Sequence, residues 1–509
     1  MSVPGALDRG GPSLGAEATS RHPGLVLACV CVCTVLVVGF VASINLAVPR
    51  LSASGLHPTA SQLVWIVDAY VVLFACLVIP AGALGDLVGR KGVLMAGLVL
   101  FALGALLSAS APGIAVLLVG RVVTGIGAAA ILPNALAVLV HATEPVRRPR
   151  AIALWAAMSG IGGVVGNVGG GAVLVGGSWR WLFVAVAPVA LACAAWVAVV
   201  VPVPRRTGGR LDLPGTILLT LATSALLLGI IQGPDSGWAS STVAGGFAAA
   251  VVLAGLWVWC ELRTAEPLLD PRLFLLPGLR AACLGMLVVF FGMFGFFYLN
   301  ASLMQYGRGF TVLQAGLGVI PMTVPLILGA RHVPALAHRL GVRATLGSAF
   351  VVIALGLAGL ADALHRGYPV YAGWLVVLGV GITLALPTLT VTITEALPAE
   401  RAGVSGGLQS TTRELGSAIG VATIGTLLTA RFSHELSTAS GSPHGHLTQT
   451  VTAALAAAPG DRDRVLGAYA GAAATALHVV ALIVLLAGAL VIAELTWARR
   501  TPTRAAADS

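Results

Sequence analysis

The stretch LVWIVDAYVVLFACLVIPAGALGDLVGRK, residues 63 to 91, decides the fold of this protein. Its apolar part is long enough to cross about 30 Å of hydrocarbon as a helix that rises about 1.5 Å per residue. The run contains one acid, Asp68, and ends in a glycine-rich turn that carries Asp86, Arg90 and Lys91. A second apolar run begins almost at once, so the turn joins two predicted membrane spans.

Composition excludes a soluble globular protein. Of 509 residues, 58% are hydrophobic and 9% are charged, and the mean hydropathy is +0.97. This balance is typical of polytopic membrane proteins. The net charge of +10 does not indicate nucleic-acid binding, because basic residues concentrate in the cytoplasmic loops of membrane proteins. All seven cysteines fall in apolar runs or at their ends, so we expect neither a disulfide framework nor a metal site.

The apolar runs predict an all-α protein with fourteen membrane-spanning helices and a retained first helix. They lie near residues 24–48, 61–84, 92–110, 113–140, 151–175, 181–203, 214–233, 240–262, 281–304, 313–334, 344–363, 369–394, 404–429 and 468–496. Twenty of the 29 basic residues fall on the side of the two termini and seven on the other side. This bias predicts that both termini are cytoplasmic.

Two internal echoes indicate a duplicated six-helix unit. LGDLVGRK at 84–91 is weakly repeated by LAHRLGVR at 336–343, and GIGAAAILPN at 125–134 by GVGITLALPT at 379–388. The two offsets are nearly equal, as a duplication requires. The predicted organisation is a disordered cytoplasmic amino terminus at 1–23, a first half at 24–203, a linker and inserted helix pair at 204–262, a second half at 263–496 with an outer loop at 430–467, and a cytoplasmic tail at 497–509.

The turn after the second span resembles the G-x-L-a-D-r-x-G-r-k signature of the major facilitator superfamily, with Leu87 as the departure. The whole arrangement resembles the fourteen-helix drug/proton antiporters of that superfamily, a fold of two six-helix halves plus two inserted helices. Further matches lie at 45–49, 65–70, 178–183, 267–270 and 413–416. The resemblance implies alternating access by rocking of the two halves. We expect a conformational latch in the turn, formed by Gly82, Asp86, Gly89, Arg90 and Lys91.

Three departures from the family pattern bear on proton stoichiometry and cation preference. Phe40 occupies the position of an acid in the first helix, and Thr124 replaces the customary glutamine. The fifth-helix signature G-P-x-x-G-G reads GNVGG, so Asn167 replaces the proline. An exporter that has lost antiport, or a facilitator for one metabolite, is the alternative that these changes leave open.

Charged residues inside the spans are candidates for coupling, because a charge at mid-helix costs about 2.5 to 3.5 kcal/mol on insertion scales. Asp68 is the first choice for proton exchange, with a structural hydrogen bond as the alternative. The resemblance implies a proton relay at Arg121, whose partner could be Asp68 or the carbonyls freed before Pro133. Arg413 and Glu414 are about 100° apart on a helix, so we expect only one to face the cavity. Glu414 is favoured as a second acid, against an internal salt bridge.

Packing and cavity residues are less specific. Gly162, Gly166, Asn167 and Gly170 are expected to pack closely at the interface between the halves, or Asn167 to reach the cavity. Asp86 is expected to pair with a nearby arginine or with the helix that begins after Arg343. The side chains that could line a pocket, with core or lipid contact as the alternative, are Trp65, Phe40, Phe294 and Tyr298.

We infer the energy source for transport by excluding ATP hydrolysis. Lys91 is the chain's only lysine and is not preceded by glycine, so there is no P-loop, and no histidine pair forms H-E-x-x-H. An ion gradient remains. We therefore expect a non-enzymatic, proton-coupled exporter of bulky apolar neutral or cationic compounds, without cofactor or nucleic-acid partner, monomeric in a bacterial cytoplasmic membrane. A non-transporting receptor would need an interaction domain that the sequence does not indicate.

Overall fold

The computed structural model describes residues 23–52, 54–56, 58, 60–175, 177–202, 212–264, 267, 269–398, 402–440 and 459–497. These residues form helices and turns, without a strand among them. Their α-helices are α1 Pro23–Ser52, α2 Ala60–Val88, α3 Arg90–Ala109, α4 Ile114–Ala142, α5 Arg148–Val175, α6 Arg180–Val200, α7 Leu213–Ser236, α8 Ser241–Glu261, α9 Pro277–Ser302, α10 Val312–Leu317, α11 Ile320–Gly329, α12 Val333–Leu340, α13 Val342–Asp362, α14 Tyr368–Glu395, α15 Ala402–Ser440 and α16 Arg462–Trp497.

The all-α class and the fourteen predicted spans are confirmed. Within the described residues, fourteen helical segments are long and apolar enough to cross a membrane. The tenth span is broken into α10, α11 and α12. Pro325 lies inside α11, and Pro334 is in the first turn of α12, where proline is tolerated. Helix α15 runs on to Ser440, well into the predicted outer loop. Residues 441–458 and the predicted terminal segments 1–22 and 498–509 lie outside the described residues.

The two sequence echoes have matching backbone conformations. Gly89, between α2 and α3, has φ of 123°, and Gly341, between α12 and α13, has φ of 84°. Both values lie in the left-handed region that favours glycine. Pro133 lies inside α4 and Pro387 lies inside α14. Equivalent residues therefore shape equivalent turns and helices, as expected of a duplicated unit.

The two predicted halves meet along α2 and α4 against α15, and along α5 against α10, α11 and α14. Two glycines of α15 make the first contact close, since a Cβ at Gly406 would lie 2.8 Å from Pro133 and one at Gly407 would lie 2.7 Å from Ile79. Helix α7 of the inserted pair contacts both α2 and α15. The Ser224 hydroxyl on α7 donates to the Cys76 sulfur of α2 at 3.0 Å.

The face of α5 that carries Gly162, Gly166 and Gly170 packs inside the first half, so the expected interface between the halves was wrong for these three glycines. A Cβ at Gly166 would collide with the backbone of Gly39 on α1, and one at Gly170 would lie 2.6 Å from Ser43. Gly162 contacts the same helix at Val38. Spacing of four residues places these glycines on one face. Asn167 lies on another face of α5, which faces α10. A Cβ added at Gly316 of α10 would lie 3.7 Å from the Cβ of Asn167.

Candidate functional site

Arg121 of α4 is fully buried and joins α4 to α2. Its Nε donates to the Ile66 carbonyl at 2.7 Å and its Nη2 to the Val67 carbonyl at 3.2 Å. These hydrogen bonds go to α2 carbonyls one and two residues before Asp68, and not to the carbonyls before Pro133 that we considered. Asp68 lies in α2, but its side chain is outside the described part of the structure, so its expected roles stay predictions.

Phe40 is a core residue, which corrects its assignment as a cavity-lining side chain. It is 2% exposed, and its ring packs edge-to-face with Tyr70, Phe101 and Phe183. The Arg121 guanidinium lies 5.1 Å from the centroid of Phe40 and 4.7 Å from that of Tyr70. At the position where the family has an acid, this chain therefore offers Arg121 an aromatic face.

Arg413 and Glu414 of α15 contact each other. Arg413 Nε lies 3.1 Å from Glu414 Oε1, and the two side chains are 9% and 12% exposed. Both side chains are largely buried, because two long side chains can bend toward each other across the 100° between their Cα atoms. Which of them faces the cavity stays a prediction. The internal salt bridge, which was the alternative, is the arrangement observed. Arg413 also lies 5.6 Å from the Phe74 ring and 5.7 Å from the Phe290 ring.

Tyr70 and Phe74 connect the two buried charge groups. Their rings stack at 6.1 Å, and Tyr70 lies within electrostatic range of Arg121, Arg413 and Glu414. We call the set Phe40, Tyr70, Phe74, Arg121, Arg413 and Glu414 the charge cluster. It extends from α1 and α4 of the first half through α2 to α15 of the second. Sequence reasoning did not assign Tyr70 or Phe74 to the site, although Ile66, Tyr70 and Phe74 follow one another at intervals of four residues, which places all three on one face of α2.

The other proposed lining residues lie apart from this cluster or at its margin. Trp65 is 38% exposed and Tyr298 is 50% exposed. Phe294 is half-buried and stacks on Phe290 at 5.9 Å. A groove of about 620 Å³ lies between α11, α12 and α14, and its lining contains none of the cluster residues. Because the buried charges are elsewhere, we place the candidate coupling site at the charge cluster.

The predicted latch residues form a connected set at one end of the bundle. Asp86 Oδ1 accepts from Arg90 Nε at 2.7 Å, and Asp86 Oδ2 accepts from the Val404 amide at 3.3 Å. Of the two partners that we considered for Asp86, the nearby arginine is therefore observed. The helix that Asp86 contacts is α15, which has Val404 near its beginning, and not the helix after Arg343. Arg90 Nη1 lies 2.5 Å from Nδ1 of His141, a residue that sequence reasoning missed because it is distant in the chain.

Gly82, Gly89 and Lys91 shape the same end. Gly82 is buried in α2, and Gly89 makes the left-handed turn that separates α2 from α3. Lys91 Nζ donates to the carbonyls of Ala198 and Val201 at 2.7 Å each, at the end of α6. Lys91 therefore ties α3 to α6 within the first half, while Asp86 reaches the second half.

Fourteen apolar helices, two similar halves and a charge cluster buried at their junction define a polytopic membrane transporter. The chain belongs to the Major Facilitator Superfamily, whose family model matches residues 30–421.

Relatives of known designation cover most of the chain. It is 32% identical over 395 residues to the multidrug resistance protein Stp of Mycobacterium tuberculosis, covering 77% of this chain and 73% of that one. It is 31% identical to the methylenomycin A resistance protein of Streptomyces coelicolor, over 78% of this chain and 85% of that one. The cephamycin export protein CmcT of Amycolatopsis lactamdurans is 33% identical, over 84% and 88%.

Solved structures share the fold at lower identity. The human organic anion transporter MFSD10 superposes with a TM-score of 0.63 at 16% identity, over 92% of this chain and 99% of that one. A bacterial homologue of the human lysosomal transporter Spinster, in an inward-facing conformation, gives a TM-score of 0.60 at 17% identity, over 93% and 97%. These similarities support the major facilitator fold.

Proposed function

We propose that this protein exports bulky apolar neutral or cationic compounds, such as drugs or an antibiotic made by the host, in exchange for protons. The observation that carries the proposal is the buried Arg413–Glu414 pair, which lies beside Tyr70 and Arg121 at the junction of the halves. A buried carboxylate is tolerated while its arginine stays in contact. A movement that draws the two apart favours proton binding at Glu414, and this links protonation to conformation.

The relatives support the substrate class. Besides the three already described, a protein of Salmonella typhimurium that is 32% identical is designated a methyl viologen resistance protein. The other three designations name multidrug resistance, methylenomycin A resistance and cephamycin export. An aromatic environment such as Phe74 and Phe290 around Arg413 suits flat apolar compounds. We place both termini in the cytoplasm of a bacterial cell, with the protein in the cytoplasmic membrane.

Alternating access would follow from rocking of residues 24–203 against residues 263–496, with residues 204–262 as the inserted segment. In this proposal the Asp86 turn closes one side, because Asp86 bonds both to Arg90 in its own half and to α15 in the other half. Loss of those bonds would open that side. Export of a specific metabolite without antiport is the second candidate, and it is favoured by Phe40 in place of an acid beside Arg121.

Dye uptake into everted vesicles under an imposed pH gradient tests the proposal. We expect Glu414→Gln to abolish gradient-driven uptake while downhill exchange of a labelled substrate persists, and Asp68→Asn is the second variant. Glu144→Gln is the matched control, since Glu144 is an exposed acid with an arginine partner, Arg147. If both Glu414→Gln and Asp68→Asn transport like the parent and an uncoupler changes nothing, antiport is refuted and the metabolite facilitator becomes the better account.

A further inference from the structure

The inserted helices carry a pair of acids at their shared end. Asp212 precedes α7, and its Oδ1 accepts from the Gly215 amide at 2.9 Å. Glu261 ends α8 and is 2% exposed, and its Oε1 accepts from Trp257 Nε1 at 2.9 Å. Nearly the whole inserted segment separates the two acids in sequence. The antiparallel pairing of α7 and α8 brings them together at the end of the bundle that also holds the Asp86 turn.

Gly215 shows how closely the two carboxyls approach. A Cβ added there would collide with both Asp212 Oδ2 and Glu261 Oε1, so these oxygens lie over the same glycine Cα. Each of the two oxygens lies closer than van der Waals contact to the same added Cβ, so the two oxygens are near neighbours. The absence of a side chain at Gly215 is therefore what permits the approach.

Hydrogen-bond donors to this pair are incomplete. Asp212 Oδ2 and Glu261 Oε2 are buried and have no hydrogen-bond partner in the structure. The one hydrogen bond that Glu261 accepts in the described part of the structure is that of the Trp257 indole N–H at Oε1. Most buried polar atoms are paired, and a buried carboxylate oxygen without a donor is costly.

No basic side chain in the described part of the chain compensates the pair. The charged group beside Glu261 is Asp212, because both carboxyls lie over Gly215. Arg263, just after α8, stacks over Trp259 at 4.2 Å, and Asp270 caps its own turn by accepting from the Arg272 amide. Helix α2 meets α7 deeper in the bundle, at Cys76 against Ser224 and Thr220, and α15 meets the α7–α8 turn at the opposite end through Thr426.

One bound proton removes both the repulsion between the carboxylates and the lack of a hydrogen-bond donor. Two ionised carboxylates at this separation repel each other, and neither has a hydrogen to donate. When one carboxyl takes a proton from the adjacent solvent, an O–H donor faces a carboxylate acceptor. A charge-assisted O–H···O⁻ bond forms, and the buried charge falls by one.

We propose that Asp212 and Glu261 form a second proton-binding site, separate from the charge cluster, in which the two carboxyls share one proton. The bound proton removes the repulsion between the two carboxyls, so it holds the beginning of α7 against the end of α8. Deprotonation weakens that contact. The stabilisation is present at acidic pH and is lost as pH rises.

Infrared spectroscopy of the purified protein tests this directly, because a protonated carboxylic acid has its own C=O stretching band. At mildly acidic pH, we expect Asp212→Asn and Glu261→Gln each to lower the intensity of that band by the contribution of one carboxylic acid. Glu144→Gln should leave it unchanged. Gly215→Ala keeps both acids but forces them apart, so it too should lose the contribution. Thermal stability in the parent should fall with rising pH, with a smaller fall in Asp212→Asn.

The Glu414→Gln variant separates this inference from the proposed function. If the band contribution persists in Glu414→Gln and is lost in the Asp212 and Glu261 variants, the second site is supported whatever the outcome of the transport assay. If it is lost only in Glu414→Gln, the second site is refuted and antiport is unaffected. Should Glu261→Gln fail to fold, Asp212→Asn decides, because its retained side-chain oxygen can still cap α7. An unchanged band in Asp212→Asn refutes the proposal.

Discussion

Single charged residues are tolerated in this apolar bundle because neighbouring groups offset the free energy of burying their charge. Arg121 donates to two carbonyls of α2 and lies beside two aromatic rings, Phe40 and Tyr70. Arg413 contacts Glu414 and lies near Phe74 and Phe290. The compensation differs, since Glu414 is an acid that can take a proton and an aromatic ring cannot. Of these two buried groups, the Arg413–Glu414 pair is therefore the one suited to coupling proton binding to transport.

Removal of Arg413 should lower the free energy of unfolding, because it leaves a buried acid without its partner. In Arg413→Gln, Glu414 loses its partner, and breaking a buried pair from one side costs about 3 to 5 kcal/mol. We expect a large loss of stability that worsens as pH rises, because an ionised Glu414 is then uncompensated. Thermal unfolding of the purified protein at several pH values measures this.

The double variant Arg413→Gln/Glu414→Gln is the control for that experiment. It removes both charges, so it should recover much of the stability and lose the added pH dependence. Equal destabilisation of the single and double variants would mean that the pair contributes packing rather than charge compensation.

The cation–π contact of Phe40 can be isolated by comparison with Phe101. Both phenylalanines are buried, and they contact each other, but only Phe40 is recorded over the Arg121 guanidinium. Phe40→Leu should be less stable than Phe101→Leu by about 0.5 to 2 kcal/mol, the range for a cation–π interaction. Thermal melts of the two variants measure the difference, and equal values would show that Phe40 acts by packing alone.

Helices in this protein approach one another where glycines remove side chains. Helix α5 shows this best, since its glycine face lies against α1 and a neighbouring face lies against α10 and α11. The contact with α1 belongs to one half, and it should therefore stay intact while the halves move. At this scale the glycines determine stability rather than gating.

Gly166→Ala should destabilise the protein, because the new Cβ would collide with the backbone of Gly39. We expect a loss of about 1 to 3 kcal/mol, as for overpacking in a close-packed core. Gly169→Ala is the matched control, as a Cβ there meets nothing within 4 Å. Thermal unfolding in detergent compares them. A Gly169→Ala variant that is equally destabilised would contradict the account.

At the scale of the whole molecule, Asp86 makes a polar contact between the two halves at one end of the bundle. Asp86 accepts from Arg90 and from the Val404 amide, so a single side chain joins an ion pair to the start of α15. The side chains of Asp86 and Arg90 are 10% and 5% exposed. Partial burial strengthens such contacts compared with a surface pair.

Asp86→Asn should favour opening of that end. A loss of about 1.4 kcal/mol corresponds to a tenfold shift in an equilibrium, and we expect a change of that order in the maleimide labelling rate of a cysteine placed at Ser405. Ser405 is fully buried on α15 near the contact, and the native cysteines would be replaced first. Glu144→Gln at the same end should label at the parent rate. Unchanged labelling in Asp86→Asn would exclude a latch role.

The sequence by itself determined the class, the number of spans, the repeated units and the residues of the Asp86 turn. These properties are local, because span length, glycine turns and charge placement depend on neighbours in the chain. Only the tertiary structure decided that Phe40 faces Arg121, that Tyr70 and Phe74 bridge the buried charges, that His141 contacts Arg90, and that Asp212 meets Glu261. Each of these contacts joins different helices or opposite ends of a segment, and helix packing, which periodicity does not specify, sets their distances.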